Sequence, residues 1–381
     1  MTKTTTRLLS LDAFRGFTVA AMLLVNNPGD WEHLYAPLDH AAWNGWTFTD
    51  WIFPFFVFIS GISMTMSLGR RAALGDNKQA LLMQTIRRGL TIVVIGLLLN
   101  LFPHFNFSTV RIPGVLQRLG LCTILTAPLV LYFSWRQQIG WIVGLLAVYA
   151  VAMLNASVPD AAGVLHTGSL AKGEDLGAFI DRSLLGGHLW VQAKTWDPEG
   201  LMSTLPAVAS QLFGVLVGHW LAAKNRQPNE KATWLLVAGL ALLWLGQIGD
   251  AWLMPINKNL WTPSYAVFMA GWGCIVFGVF YWLLDAMPLP LARERVARWM
   301  KPFVVFGMNA LFIFALSGLI GRILILVKFD SGLTLKGMLF EPIHASSLAP
   351  VNASLVFAIG FVGVMYAIAW VMWKKRWFVK V

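Results

Sequence analysis

Apolar residues in this chain come in runs of about twenty, separated by shorter polar stretches or stretches bearing glycine and proline. A helix rises 1.5 Å per residue, so a run of that length crosses a hydrocarbon core of about 30 Å. Ten segments fit: 10 to 27, 49 to 68, 87 to 103, 112 to 133, 139 to 155, 201 to 222, 232 to 251, 262 to 284, 303 to 327 and 351 to 373. The pattern predicts an all-α, polytopic membrane protein of about ten transmembrane helices, with residues 1–381 forming one transmembrane domain. No segment repeats another at a fixed period, so an inverted-repeat transporter has no positive support in the sequence.

Composition agrees: 57% of the residues are hydrophobic and 12% are charged, against about 25% charged in a typical soluble domain. A soluble enzyme with a single anchor is thereby excluded. The formal net charge is +11, and its distribution says why. The connections "GRRAALGDNKQALLMQTIRR", "SWRQQ", "KNRQPNEK" and "LARERVARWMK" and the tail "KKRWFVKV" are basic, whereas 28 to 48 holds Asp30, Glu32 and Asp39 and neither Lys nor Arg. Basic loops stay in the cytoplasm. Both termini are therefore expected there, with 28–48, 156–200 and 328–349 on the extracytoplasmic side. The excess charge is spent on orientation; the expected partner is the lipid bilayer, not nucleic acid. Lys3 and Arg7 before an apolar run resemble a signal peptide, but Asp12 and Arg15 interrupt the run and no cleavage site follows, so a retained first helix is expected. Cys122 and Cys274 both lie in apolar segments and are expected to be inert buried thiols.

Ionisable side chains at membrane depth cost about 2.5–3.5 kcal/mol on insertion scales and are usually paired or functional. Asp12, Arg15, Asp50, Arg118 and Arg322 stand out. Asp12 and Arg15, three apart, can pair locally; alternatively Arg15, with Arg7, receives an anionic group, because a guanidinium offers a fork matched to phosphate. Arg118 lies seven residues from Arg111 and so near the same helical face, in either a packing or a ligand role. His40 has the chemistry for catalysis: an imidazole flanked by Asp39 and ten residues before Asp50, whose carboxylate can orient it. The other histidines, His33, His104, His166, His188, His219 and His344, form no metal-ligand spacing, and no metal is expected. Asn26 and Asn44 are expected to face one extracytoplasmic pocket, and Asn309 to lie midway in the ninth span. Trp43 and Trp46 can stack on a sugar face, and the interfacial belt is the expected place for Trp46. Asp197 and Glu199, in "WDPEG", are candidates for contacting an ammonium or hydroxyls.

Taken in order, "LLSLDAFRGFTVAAMLLVNN", "DHAAWNGWTFTDWIFPFFVFISG", "RIPGVLQRLGLC", "WDPEGLMSTLPA", "NKNLWTPSYA" and "GMNALFIFALSG" resemble the heparan-alpha-glucosaminide N-acetyltransferase family and its bacterial relatives, within the wider transmembrane acyltransferase superfamily. The resemblance runs from about residue 7 to the basic C-terminus. It implies transfer of acetyl from cytoplasmic acetyl-CoA to an amino sugar of the glucosamine type on the opposite side, in an integral protein of the bacterial cytoplasmic membrane and in a homodimer. It places the functional histidine of "HAAWNG" at His40, the asparagine of "VN" at Asn26 and the aspartate opening the next helix at Asp50. With the residue chemistry above, Arg7, Asp12, Arg15, Arg118 and Asn309 become candidates for holding the donor, and Trp43, Asn44, Asp197 and Glu199 for holding the acceptor. His40 acts either as general base or as acetyl acceptor. A sugar permease and an O-acyltransferase of cell-wall glycans are the alternative functions.

Overall fold

A computed structural model of the chain describes residues 8–330 and 332–379; Arg7 lies outside the described residues. Among them, nine helices are long and apolar enough to cross a bilayer, and a pair of helices that meet at 81° is long and apolar enough only when taken together. The chain is an all-α integral membrane protein. Its elements are α1 (Leu9–Asn26), α2 (Phe48–Ala73), α3 (Lys78–Leu101), α4 (Val115–Tyr132), α5 (Trp135–Asn155), the short strands β1 (Ser157–Pro159) and β2 (Leu165–Thr167), and α6 (Leu176–Leu185). They continue with α7 (Thr204–Ala222), α8 (Pro228–Trp252), α9 (Pro263–Ala286), α10 (Pro290–Trp299), α11 (Lys301–Met308), α12 (Ala310–Leu326), α13 (Leu335–His344) and α14 (Pro350–Lys374).

Helix starts follow the local chemistry. Proline opens α8, α9, α10 and α14, where its missing N–H costs nothing and its fixed φ suits the first turn. Asn77 caps α3 by accepting from the Gln79 and Ala80 amides. The first turn of α1 has no local cap; the Asp285 carboxylate at the end of α9 accepts from the Leu9 and Ser10 amides at 3.3 and 3.0 Å.

In lipid, helices associate through close packing over small residues. A Cβ on Gly16 would lie 1.6 Å from the Phe303 carbonyl oxygen, and one on Gly307 would lie 1.9 Å from that of Asp12, so α1 and α11 touch backbone to backbone. Gly61 and Gly214 do the same for α2 and α7. Gln211 bridges neighbouring helices: it accepts from Thr126 at 2.7 Å and donates to Ser60 at 2.6 Å.

The ninth expected span is not one rod. Asn309 sits at the bend between α11 and α12, where it donates to the Trp377 carbonyl (3.0 Å) and accepts from the Val379 amide (2.9 Å). The C-terminal segment thus satisfies a polar residue at the break. The connection 156–203 is a folded cap rather than a loop: β1 and β2 pair antiparallel and α6 follows them. Counting crossings, this cap, the loop 27–47, the 253–262 connection and α13 all lie at the end of the bundle where α1 finishes.

Candidate active site

The second span begins with "TFTD", a threonine followed three residues later by an acid, the pattern of an N-terminal capping box. Thr47 and Asp50 form that box. Asp50 Oδ2 accepts from the amides of Ala41 (3.1 Å) and Thr47 (3.0 Å) and from Thr47 Oγ1 (3.2 Å). The box fixes the carboxylate and folds the preceding loop back onto it. His40 then lies with Nδ1 2.7 Å from Asp50 Oδ1. The His40 side chain is 50% exposed while that of Asp50 is 1% exposed, so a buried carboxylate supports an accessible imidazole. An Nδ1–H donating to Asp50 leaves Nε2 with its lone pair outward.

Lys258, from the connection between α8 and α9, places its Nζ 3.0 and 3.2 Å from the two ring nitrogens of His40 and 3.5 Å from Asp50 Oδ1. Burial pushes the Lys258 ammonium below the usual lysine range, opposed by the charges of Asp50 and Glu199. Neighbouring contacts hold this connection in place. Asn257 donates to Asn44 Oδ1 at 3.1 Å, the Gly45 amide donates to the Ile256 carbonyl at 2.7 Å, and Tyr265 donates to the Asp50 carbonyl at 2.7 Å.

A second charged group adjoins it under the cap. Arg111 donates from Nε and Nη2 to the two oxygens of Asp197 (2.8 and 2.6 Å) and from Nη2 to Glu199 (2.6 Å). Burial alone would depress the Arg111 guanidinium, but the hydrogen bonds and charges of Asp197 and Glu199 outweigh it and hold it well above its ordinary value. Arg118, fully buried, donates to the carbonyls of Pro198 (3.2 Å) and Gly200 (2.8 Å) and to Ser203 Oγ (2.5 Å), with its guanidinium over the Trp261 ring. Nearby, Asp181 accepts from the Leu201 amide at 2.8 Å; burial pushes its carboxyl up to about 7, helped by the charges of Asp197 and Asp175.

Of the residues expected from sequence, the structure brings together His40, Asp50 and Asn44. Four expectations change. Arg111 and Arg118 do not share a helical face, because Pro113 and Gly114 hold the backbone extended before α4 begins at Val115; they converge instead on the two sides of 197–200. Arg118 therefore lies at the His40 end and not near Asp12 and Arg15. Asn26 makes no hydrogen bond to the His40 cluster among the described residues and lines a separate cavity with Arg322. Asp197, its side chain wholly buried, is bound by Arg111 rather than presented to a ligand. Asn309, on the C-terminal segment, is equally engaged.

The remaining candidates have clear places. Trp43 donates to the Leu170 carbonyl at 2.9 Å and packs edge-on against Trp196, tying the 27–47 loop to the cap. Trp46 packs against Trp51, Phe268 and Trp272 in an aromatic cluster. Arg15 pairs with Asp12 at 3.3 Å and donates to Ser63 Oγ at 2.8 Å, on the inner part of α1. Both cysteines are free and buried. Lys258 was not among the expected site residues, although it stands in the "NKNLWTPSYA" stretch; a lysine flanked by amides between two spans was the available signal. A concavity of about 990 Å³ between α5, α7, α8 and α9 is lined by apolar side chains such as Leu146, Phe213, Trp234 and Leu242 and lies away from these charged groups.

A family model described as "Heparan-alpha-glucosaminide N-acetyltransferase, catalytic" matches residues 7–254. The heparan-alpha-glucosaminide N-acetyltransferase of Mus musculus is 28% identical over 362 residues, covering 81% of this chain and 53% of the mouse protein. That of Homo sapiens is 28% identical over 358 residues, covering 81% and 52%. The chain spans about half the length of the curated relatives it matches. The matched region contains His40, Asp50, Arg111, Arg118 and the capping segment, and on that match the chain belongs to the heparan-alpha-glucosaminide N-acetyltransferase catalytic family.

Proposed function

We propose that this protein is a membrane acetyltransferase that moves acetyl from acetyl-CoA to the amino group of a glucosamine-type sugar, with His40 as general base. The observation that carries the reading is the accessible His40 imidazole held by a buried Asp50 that the Thr47 box fixes. Family membership supports the reaction class. The acceptor arrives as an ammonium and loses one proton to solvent. As the amine attacks the thioester carbon and the C–N bond forms, His40 Nε2 takes the second proton from nitrogen. The C–S bond then breaks, and the imidazolium returns that proton to sulfur, giving amide and CoA thiol. Lys258, beside Nε2, is the nearest cation to the oxygen that becomes negative during attack. Direct attack needs one fixed base and fewer steps than an acetyl-histidine intermediate.

The reading places the His40 end outside the cytoplasm, supported by the basic connections gathered at the other end, among them Arg70, Arg71, Arg136, Arg226 and Arg295. Acetyl-CoA is the donor substrate and enters from that basic side, with Arg15 assigned to its anionic groups. Arg15 and Asn26 are eleven residues apart on α1, about 16 Å along the axis, so the donor's flexible arm has to follow α1 to bring its thioester to the far end. Arg118 and Asn309 are given no part in holding the donor, and Asn26 no chemical step. Trp43, Asn44 and Glu199 border the acceptor.

The test is release of CoA thiol by purified protein given acetyl-CoA and glucosamine, wild type beside His40→Ala, with mass analysis of the sugar. Glucosamine-dependent release and N-acetylglucosamine are expected in the wild type and absent from a folded His40→Ala variant. An ester product would assign O-acyl transfer instead, and sugar counterflow without acetyl-CoA would assign a permease.

A further inference from the structure

Beside the end of α1, a cavity of about 320 Å³ opens between α1, α12, α13 and α14, and the hydrogen-bonded group around His40 takes no part in lining it. Its polar wall is cationic. Arg322 on α12 and Lys336 on α13 line it together with the amides of Asn26 and Asn27, Ser317 and the indole of Trp31. Its other walls are apolar, formed by residues such as Phe314, Leu324, Phe357 and Phe361.

Among the described residues, neither cation has a carboxylate within ion-pair distance. Among the described residues, Arg322 donates only to the Gly318 carbonyl one turn back, at 2.9 Å, and no carboxylate pairs with it or with Lys336. Lys336 lies over the Phe357 ring, 5.9 Å from its centroid. The acid whose charge reaches Lys336 is Asp30, and Asp30 is itself engaged by His33 at 2.5 Å and by the Glu32 amide at 2.9 Å. The glycines shape the space: a Cβ at Gly318 would stand 3.3 Å from the Arg322 guanidinium and one at Gly321 3.2 Å from Asn27 Oδ1. Larger residues there would press on the polar groups that face the cavity.

Two cations with no carboxylate paired to either, in a site half walled by hydrocarbon, are costly to hold so near the bilayer unless an anion completes them. A guanidinium and an ammonium on one wall match a tetrahedral oxyanion. We propose that this cavity is a binding site for a phosphate group, held by Arg322 and Lys336. Its apolar walls and its opening beside Ile325, which is exposed, suit a phosphate carried on an amphiphile, as in the headgroup of an anionic phospholipid. A soluble phosphate offers the same oxygens to the same donors.

The test uses the purified full chain. Native mass spectrometry counts retained lipid after exchange into detergent with phosphatidylglycerol or phosphatidylcholine, and thermal unfolding is followed with each lipid and with inorganic phosphate. Wild type should retain phosphatidylglycerol several-fold over phosphatidylcholine and unfold at higher temperature with it. Arg322→Gln and Lys336→Gln should each weaken that preference roughly five-fold, the effect of one basic residue at a membrane surface. Lys336→Gln, on a short peripheral helix, keeps the test open if Arg322→Gln folds poorly. Protection by inorganic phosphate alone, lost in the variants, supports the same site with a soluble source. Equal retention of the two lipids with no protection by phosphate, or a preference unchanged in both variants, would overturn the proposal.

Discussion

Replacing Arg111 by methionine isolates the charge network under the cap. Methionine keeps most of the side-chain volume and removes the guanidinium, so three hydrogen bonds of 2.6–2.8 Å to Asp197 and Glu199 disappear together. The Asp197 side chain has no exposed surface and that of Glu199 has 9%, so water cannot take the place of the lost donor. Breaking a buried pair from one side costs about 3–5 kcal/mol. An independent ceiling agrees: protonating an ordinary carboxylate at pH 7 costs about 4 kcal/mol, and about 1.5 kcal/mol at pH 5. Arg118, bonded to the Pro198 carbonyl next door, offsets part of the loss, which leaves an expected penalty of about 3 kcal/mol. In thermal unfolding of detergent-purified protein, Arg111→Met should lower the midpoint by about 4 °C at pH 7. The deficit should shrink at pH 5, and adding Asp197→Asn should recover much of it. A midpoint within about 2 °C of wild type at both pH values would refute the assignment of Asp197 as a buried, Arg111-dependent charge.

Two further outcomes follow from the same geometry. Lys258→Met removes a positive charge about 3 Å from the His40 ring. On the proposed reading kcat should fall by about 10²–10³-fold from loss of the oxyanion's cation; a kcat within about three-fold of wild type would take Lys258 out of the centre. Asp181, raised by burial from 3.8 to about 7, favours the protonated form when folded, so it contributes stability that is full below about pH 4 and is lost as pH rises through 7. Asp181→Asn keeps an oxygen for the Leu201 amide and should be more stable than wild type by up to about 4 kcal/mol at pH 8 but not at pH 4, read from unfolding midpoints across that range; parallel pH curves would contradict the burial of that charge.

The crossings were legible because a bilayer demands long apolar runs and the chain has few other ways to bury them. The His40–Asp50 contact was legible for a local reason: a capping box folds the preceding residues back over ten positions, within reach of sequence reasoning. Lys258 was not, since it meets His40 from 218 residues away, and no local pattern records which interhelical connection lands on which. Arg111 and Arg118 misled through periodicity, which holds only inside a helix; the proline and glycine between them were the available warning. The bend at Asn309 was masked because both halves are apolar, although Gly307 and Asn309 together carry a break signal.

Lys258 also explains why the cap and the reacting centre belong to one device. It lies 3.5 Å from Asp50 and is raised toward its charged form by Glu199 as well as by Asp50, while Glu199 is held by Arg111. The cations Arg111, Arg118 and Lys258 thus face the anions Asp50, Asp197 and Glu199 in a nearly neutral group, most of it withdrawn from water. Its exposed corner is the His40 imidazole. A displacement of 197–200 that carried Glu199 away from Lys258 would weaken the field that keeps Lys258 charged, and Lys258 adjoins both ring nitrogens on which a proton can sit. Through Glu199 and Lys258 the cap is thus electrostatically continuous with the charged group that holds His40.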